Sequence, residues 1–245
     1  MIKFFRKIRM KLIDKNKGGK YLKYAIGEIL LVMIGILLAL QVNNWNESKK
    51  IKAEELKMLL ELKADLDYSI EELAIVEKTN ESFAEQLIVI QMHIHENLPY
   101  SKVLDTAFGS LDTWGIPYLP FTAYESLKFK GIDLISNDSL KQQITKVYNF
   151  HIKRLIEDMG QWEWSYNQNT TQRIMTKNIR RGLWASGTSE LAIPNDYEKL
   201  KKDDEFNNFL SVLIPIRKDH VHYLRSTKKA VKELSAAIED EIENF

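Results

Sequence analysis

The sequence predicts an all-α protein: one N-terminal transmembrane helix followed by an extended antiparallel helical bundle. Three observations lead there. Ten Gly and five Pro are few for 245 residues, and so low a content of turn formers favours helices over a strand-rich architecture. An apolar run, YAIGEILLVMIGILLALQVNNW, lies between Tyr24 and Trp45. Beyond it, apolar residues recur near the 3.5-residue spacing of packed helices.

The run comes first. Ala25 to Val42 makes about 27 Å of helix at ~1.5 Å per residue, close to the ~30 Å hydrocarbon thickness of a bilayer. Tyr21, Tyr24 and Trp45 flank it as interfacial aromatics would. The chain therefore divides into a basic arm (1–23), a transmembrane helix (24–43) and a helical body (44–245). A cleaved signal peptide shares the plan of a basic start and an apolar stretch. The length of the basic region and the ending LALQVNNW, which lacks a small-residue pair for cleavage, favour an uncleaved signal anchor.

Charge sets the orientation. The arm carries nine Lys or Arg against Asp14, a net +8, while the whole chain is +1, so the rest is −7. Positive charge before the span places the N-terminus in the cytoplasm and the body in the periplasm of a single-pass inner-membrane protein. In the arm, Phe4, Phe5, Ile8 and Leu12 can share one helical face against the inner headgroups; a solvated topology signal explains the arm equally well. A basic arm beside an apolar run and an acidic body points to the lipid bilayer as a partner, with no nucleic acid. The chain has no cysteine, which excludes disulfides, thiolate metal sites and cysteine nucleophiles.

Glu28 stands inside the apolar run. A carboxylate at the bilayer centre costs ~2.5 to 3.5 kcal/mol, and the aliphatic residues between Ile29 and Leu40 return roughly 3 to 5 kcal/mol, so insertion remains favourable. At helical spacing Glu28 shares a stripe with Gly35 and Ala39, whose small side chains let a second helix approach. Glu28, Gly35 and Ala39 are thus a candidate transmembrane interface for homo- or hetero-oligomerisation. A tolerated acid near the interface of a lone anchor is the alternative.

The opening FFRKIRMKLIDKNKGGKYLKYAIGEILLVMIGILLALQVNNWNE resembles that of a family of single-span membrane proteins from Bacteroidota, a domain of unknown function. TAYESLKFKGIDLISNDSLKQQI (Thr122 to Ile144) resembles a helix-turn-helix segment of the same group. The resemblance implies an inner-membrane anchor and a helical extracytoplasmic body. It implies no activity and supplies no catalytic residue.

In the body, Glu47 to Ile94 reads as one long helix, continuous with the span or nearly so, with Leu56, Leu59, Leu66, Ile70, Leu73 and Leu87 on a stripe that Lys63 interrupts. Such a stalk could pair as a coiled coil; intramolecular packing is the preferred reading, since later helices can cover the stripe. Pro99 ends it. A short helix over Lys102 to Trp114, an ordered loop at GIPYLPF and a helix over Ala123 to Lys130 stopped by Gly131 follow. Ser136 or Asn137 caps a long helix running to Arg181. RGLWASGTSELAIPND interrupts the pattern, and a last helix spans Asp203 to Glu243 with a kink expected at Pro215.

Chemistry is sparse. Two His-x-His pairs (His93/His95, His220/His222) and His151 could contribute to zinc only if helix ends brought the pairs together near Asp219 or Glu96, because residues two apart on a helix face opposite ways. Trp162, Trp164 and Tyr166 form a candidate ligand pocket with Asn167 and Gln168 nearby; core packing is the plainer explanation. No motif for nucleotide binding, acyl transfer or metalloprotease chemistry is present. The sequence names no catalytic residue, no metal ligand and no cofactor, and it reads as a non-enzyme. A membrane-anchored interaction or assembly module is the first reading; a small-ligand sensor acting through a partner is the second, and a metal-dependent hydrolase the third.

Overall fold

The computed structural model describes residues 18–181 and 191–245. The apolar face of the basic arm, the side chains of Tyr21 and Tyr24, and residues 182–190 lie outside the described residues. Among those described, the protein is helical save for one short strand pair. Two compact units are distinguished, one ending at Glu54 and one running from Glu55 to Phe245.

Helix α1, Gly18–His95, is 78 residues long and contributes to both units. In the first unit its apolar side chains are bare: Ile29, Leu31, Leu37 and Val42 are each more than half exposed. Among the described residues α1 is the one helix long and apolar enough to cross a membrane; its most apolar window has a mean hydropathy of 2.4, with none of it buried. This is compatible with a single-pass membrane protein. Lys49 Nζ lies 3.9 Å from the centre of the Trp45 ring.

In the second unit α1 is followed by α2 (Val103–Gly109), α3 (Thr122–Lys130) and a 3₁₀ turn (Ile132–Leu134). Next comes a long helical path made of α4 (Asp138–Lys146), α5 (Gly160–Tyr166) and α6 (Gln172–Asn178), joined by π-helical segments at Val147–Ile152, Arg154–Met159 and Asn167–Thr171. Strands β1 (Ile179–Arg181) and β2 (Ala192–Pro194), then α7 (Tyr197–Lys201) and α8 (Asp204–Glu243), complete it.

Local chemistry fixes the boundaries. Gly131 stops α3 with φ of 102°, a conformation that favours glycine. Asn137 caps α4, its Oδ1 accepting from Ser139 N at 3.0 Å and Leu140 N at 3.2 Å. Asp203 caps α8 in the same way through Glu205 N and Phe206 N.

Three expectations change. The helix after Pro99 ends at Gly109 rather than Trp114. The long path ends at Asn178 rather than Arg181, because Ile179–Arg181 pairs antiparallel with Ala192–Pro194, a segment farther along the chain. Helix α7 is additional, capped by Asp196. Helix α8 holds Pro215 in its interior, as expected; the carbonyl that loses its donor belongs to Ser211, and both positions are exposed, where water can replace the bond.

Helix α8 is antiparallel to α1, since Ser235 donates to Asp67 at 2.7 Å and Arg225 Nε to Glu77 at 2.9 Å. It is also antiparallel to the α4–α6 path: Asn137 reaches Glu241 at 2.6 Å and Arg154 reaches the Tyr223 hydroxyl at 2.6 Å. The stripe of α1 is covered from within. Leu59, Leu62, Leu66 and Leu73 join Ile144, Leu155, Leu224 and Val231 in one hydrophobic cluster. A second holds Leu87, Ile90, Phe108, Ile174, Phe206 and Leu210. Lys63 is accommodated because its Nζ bonds Asp67 at 2.8 Å and lies 3.7 Å from Glu239.

Candidate functional site

Where one hydrophobic cluster gives way to the other, the helices place polar residues on their inward faces. Glu163, Asn167 and Thr171 follow each other at four-residue intervals, one side of a helix, and all three are buried. Opposite them, α8 buries Arg217 and His220. Glu163 Oε2 accepts from Arg217 Nη1, and Oε1 lies 2.8 Å from His220 Nδ1. Burial pushes Arg217 below its usual range, while Glu163 and Asp112 oppose that shift and favour the charged form. The guanidinium also stands 5.2 Å from the Trp114 ring centre.

Donors from other elements extend the layer. Asn167 Nδ2 donates to the Asp112 carbonyl at 3.2 Å, and Arg181 bonds the Asp112 carboxylate at 2.6 Å. Trp114 Nε1, Thr171 Oγ1, Arg217 Nε and His220 Nε2 are buried without a protein partner among the described residues. A slip of either helix would leave this charge enclosed and unpaired.

A second feature lies on the outside. The segment GIPYLPF is held along α1 by three of that helix's side chains. Asn80 donates to the Gly115 carbonyl at 3.0 Å and accepts from Gly115 N at 3.1 Å. Glu72 accepts from Tyr118 N at 3.1 Å, and Asp65 from Ala123 N at 3.0 Å. The approach at Gly115 is close: a Cβ there would meet Asn80 Nδ2 at 3.1 Å and Val76 Cγ1 at 3.3 Å. Tyr118 is 84% exposed. With Tyr68, Ile116, Phe121 and Ile156 it lines an open groove of about 620 Å³. Phe121 also lines an adjoining groove of about 560 Å³ with Glu125, Phe129 and Lys130.

The residues singled out in the sequence fall as follows. Glu28 is half-buried in α1, while Gly35 and Ala39 are exposed; a Cβ on Gly35 would meet nothing within 4 Å. Trp162 and Trp164 are exposed, and Tyr166 is half-buried and stacked on Phe209 with ring centres 6.3 Å apart. Trp164 contacts Trp114 across 6.4 Å. Of the histidines, His220 sits on Glu163, His93 Nδ1 lies 2.9 Å from the Val89 carbonyl, His95 and His222 are exposed, and His151 is half-buried. No three His, Asp or Glu side chains among the described residues converge as a metal site would require.

A family profile matches residues 28–178, more than half of the chain: a family of unknown function, DUF6090. The chain belongs to this family. The DUF6090 region includes the apolar stretch from Glu28, the clamped segment and Glu163, and it ends before Arg217 and His220. No curated protein and no solved structure matches the chain.

In the sequence Glu163 lies between Trp162 and Trp164, and its burial was not expected there. A signal was present. Leu155, Met159, Glu163, Asn167 and Ile174 lie on one helical stripe, as do Leu213, Arg217, His220 and Leu224, so each inward face carries charge or amide at core positions.

Proposed function

We propose that this DUF6090 protein is a single-pass inner-membrane protein whose helical body works in the periplasm as a non-enzymatic interaction or assembly module. One observation carries the anchoring: the apolar stretch of α1 from Ala25 is unburied in the chain itself. Leaving so many aliphatic side chains in water would be strongly unfavourable, and a bilayer is the solvent that removes the cost. The nine cations of the arm set the orientation, with 1–23 cytoplasmic, 24–43 acting as signal anchor and the remainder exported.

The interaction role rests on the surface of the body, where aromatic side chains stand on a backbone that α1 holds in place. Self-association through Glu28, Gly35 and Ala39 belongs to the same reading, because the inward stripe of α1 between Met58 and Val76 is engaged within its own bundle. Crosslinking of the full-length protein in native membranes tests the role. Discrete crosslinked species, either dimers or one heterologous complex, are expected; monomer alone over a range of crosslinker lengths would contradict it.

A further inference from the structure

We infer that the groove formed by Gly115–Phe121 with Tyr68 and Ile156 docks an extended, cation-bearing peptide segment of a partner protein. The inference rests on the interaction-module reading and names its contact surface. Three observations lead to it.

The first is preorganisation. Asp65 to Asn80 covers about 22 Å of α1 at ~1.5 Å per residue. The chain from Gly115 to Ala123 is bonded near both of those ends, so it advances roughly 2.8 Å per residue, short of the ~3.3 to 3.6 Å of full extension but well beyond the ~1.5 Å of a helix. Pro117 and Pro120 stiffen it further. A surface fixed before binding loses little entropy when a ligand arrives.

The second is what the segment displays. Tyr118 is almost wholly in solvent, and Ile116, Phe121 and Tyr68 are each at least one-third exposed around the same groove. Rigid aromatic anchors of this kind carry most of the binding energy in protein interfaces. A fixed, non-helical segment that presents its side chains at the surface suits an extended ligand.

The third is charge. Asp65 and Glu72 lie along the seam between α1 and the segment, exposed Glu71 adjoins them, and Glu125 lines the next groove. Of the cations there, Lys128 is bound to Glu125 at 2.7 Å and Lys130 also lines that next groove, so the acidic excess lies on the α1 side, at Asp65 and Glu72. Beyond the arm the chain is net −7. Lysine or arginine next to aliphatic or proline residues complements this rim, whereas an acidic segment is repelled.

The test pans a phage-displayed random dodecapeptide library against full-length protein in phosphatidylcholine nanodiscs, with empty nanodiscs as counter-selection. Enriched peptides are expected to carry Lys or Arg beside aliphatic or proline residues. Their affinity should fall about tenfold in Tyr118→Ser, a change at an exposed position. It should fall about threefold in Glu72→Gln, whose amide oxygen can still accept from Tyr118 N–H, and raised salt should mimic that loss. No enrichment, an acidic consensus, or peptides indifferent to Tyr118→Ser would each overturn the docking site. If native-membrane crosslinks persist in Tyr118→Ser alongside such a failure, the groove falls and the module reading stands; if wild-type membranes give no crosslinks either, both fall.

Discussion

Glu163 on α5 and Arg217 on α8 form an ion pair whose side chains are 1% and 2% exposed. His220, one turn beyond Arg217, takes the other carboxylate oxygen. The pair joins two helices at the boundary between the two hydrophobic clusters, so breaking it from one side leaves a buried charge there.

Removing one partner leaves the other charged and enclosed. Glu163→Gln should therefore cost about 3 to 5 kcal/mol. Replacing both, as in Glu163→Leu with Arg217→Met, should recover most of that loss, since a well-packed apolar pair of similar volume is close to neutral. Urea titration of the detergent-solubilised protein, followed by tryptophan fluorescence, measures both. Equal losses for the single and double variants would show that packing, not charge, governs the site.

Asn80 is the clamp on Gly115. Asn80→Ala removes a donor and an acceptor together, and about 1 to 3 kcal/mol is expected for each backbone group left unsatisfied. Hydrogen exchange should accelerate at Gly115 and Tyr118 ahead of the core of α1. Gly115→Ala should act in the same direction, because its Cβ pushes on the Asn80 amide from 3.1 Å. Unchanged exchange in Asn80→Ala would mean that Glu72, Asp65 and the prolines hold the segment without it.

His151 carries a pH dependence. Burial, and then Lys146, hold its ring below the ordinary value of 6.5, with Glu233 pulling the other way. The fold thus favours the neutral ring, and as pH falls the unfolded chain takes up a proton first. The contribution to stability is full above about pH 6.5 and is lost as pH falls through the lowered folded value. His151→Gln should flatten the melting-temperature profile in that window. Titration of the ring by NMR, giving a midpoint at or above 6.5, would contradict the assignment.

Within the span, the double change Glu28→Leu with Gly35→Leu should abolish or weaken transmembrane self-association in a dimer-reporter assay, because it removes the polar contact and the close approach together. Wild-type signal in the double variant would leave α1 as a lone anchor.

The long helices were legible because periodicity and caps are local: Gly131 marks a stop, Ser136 or Asn137 a start that the structure assigns to Asn137, and Asp203 the beginning of the last helix, which it caps. The β1–β2 pair was not, since Ile179 meets Pro194 from farther along the chain and nothing near Ile179 encodes its partner. The Glu163 layer was half legible. Charged residues on apolar stripes were visible in α5 and α8, but that the two helices oppose each other at that level is a tertiary fact. The groove was visible only as an ordered loop, because the side chains that clamp it, Asp65, Glu72 and Asn80, look in sequence like the ordinary polar residues of a long helix.

The most direct test of the anchored, exported body uses the absence of cysteine. Single cysteines at Lys15 and at exposed Lys229 are labelled in intact cells with a membrane-impermeant maleimide able to pass the outer membrane. The account predicts that Lys229→Cys is labelled, that Lys15→Cys reacts only after the inner membrane is permeabilised, and that both proteins stay with the membrane at alkaline pH. Labelling of Lys15→Cys with protection of Lys229→Cys, or release of the protein from the membrane at alkaline pH, would contradict it.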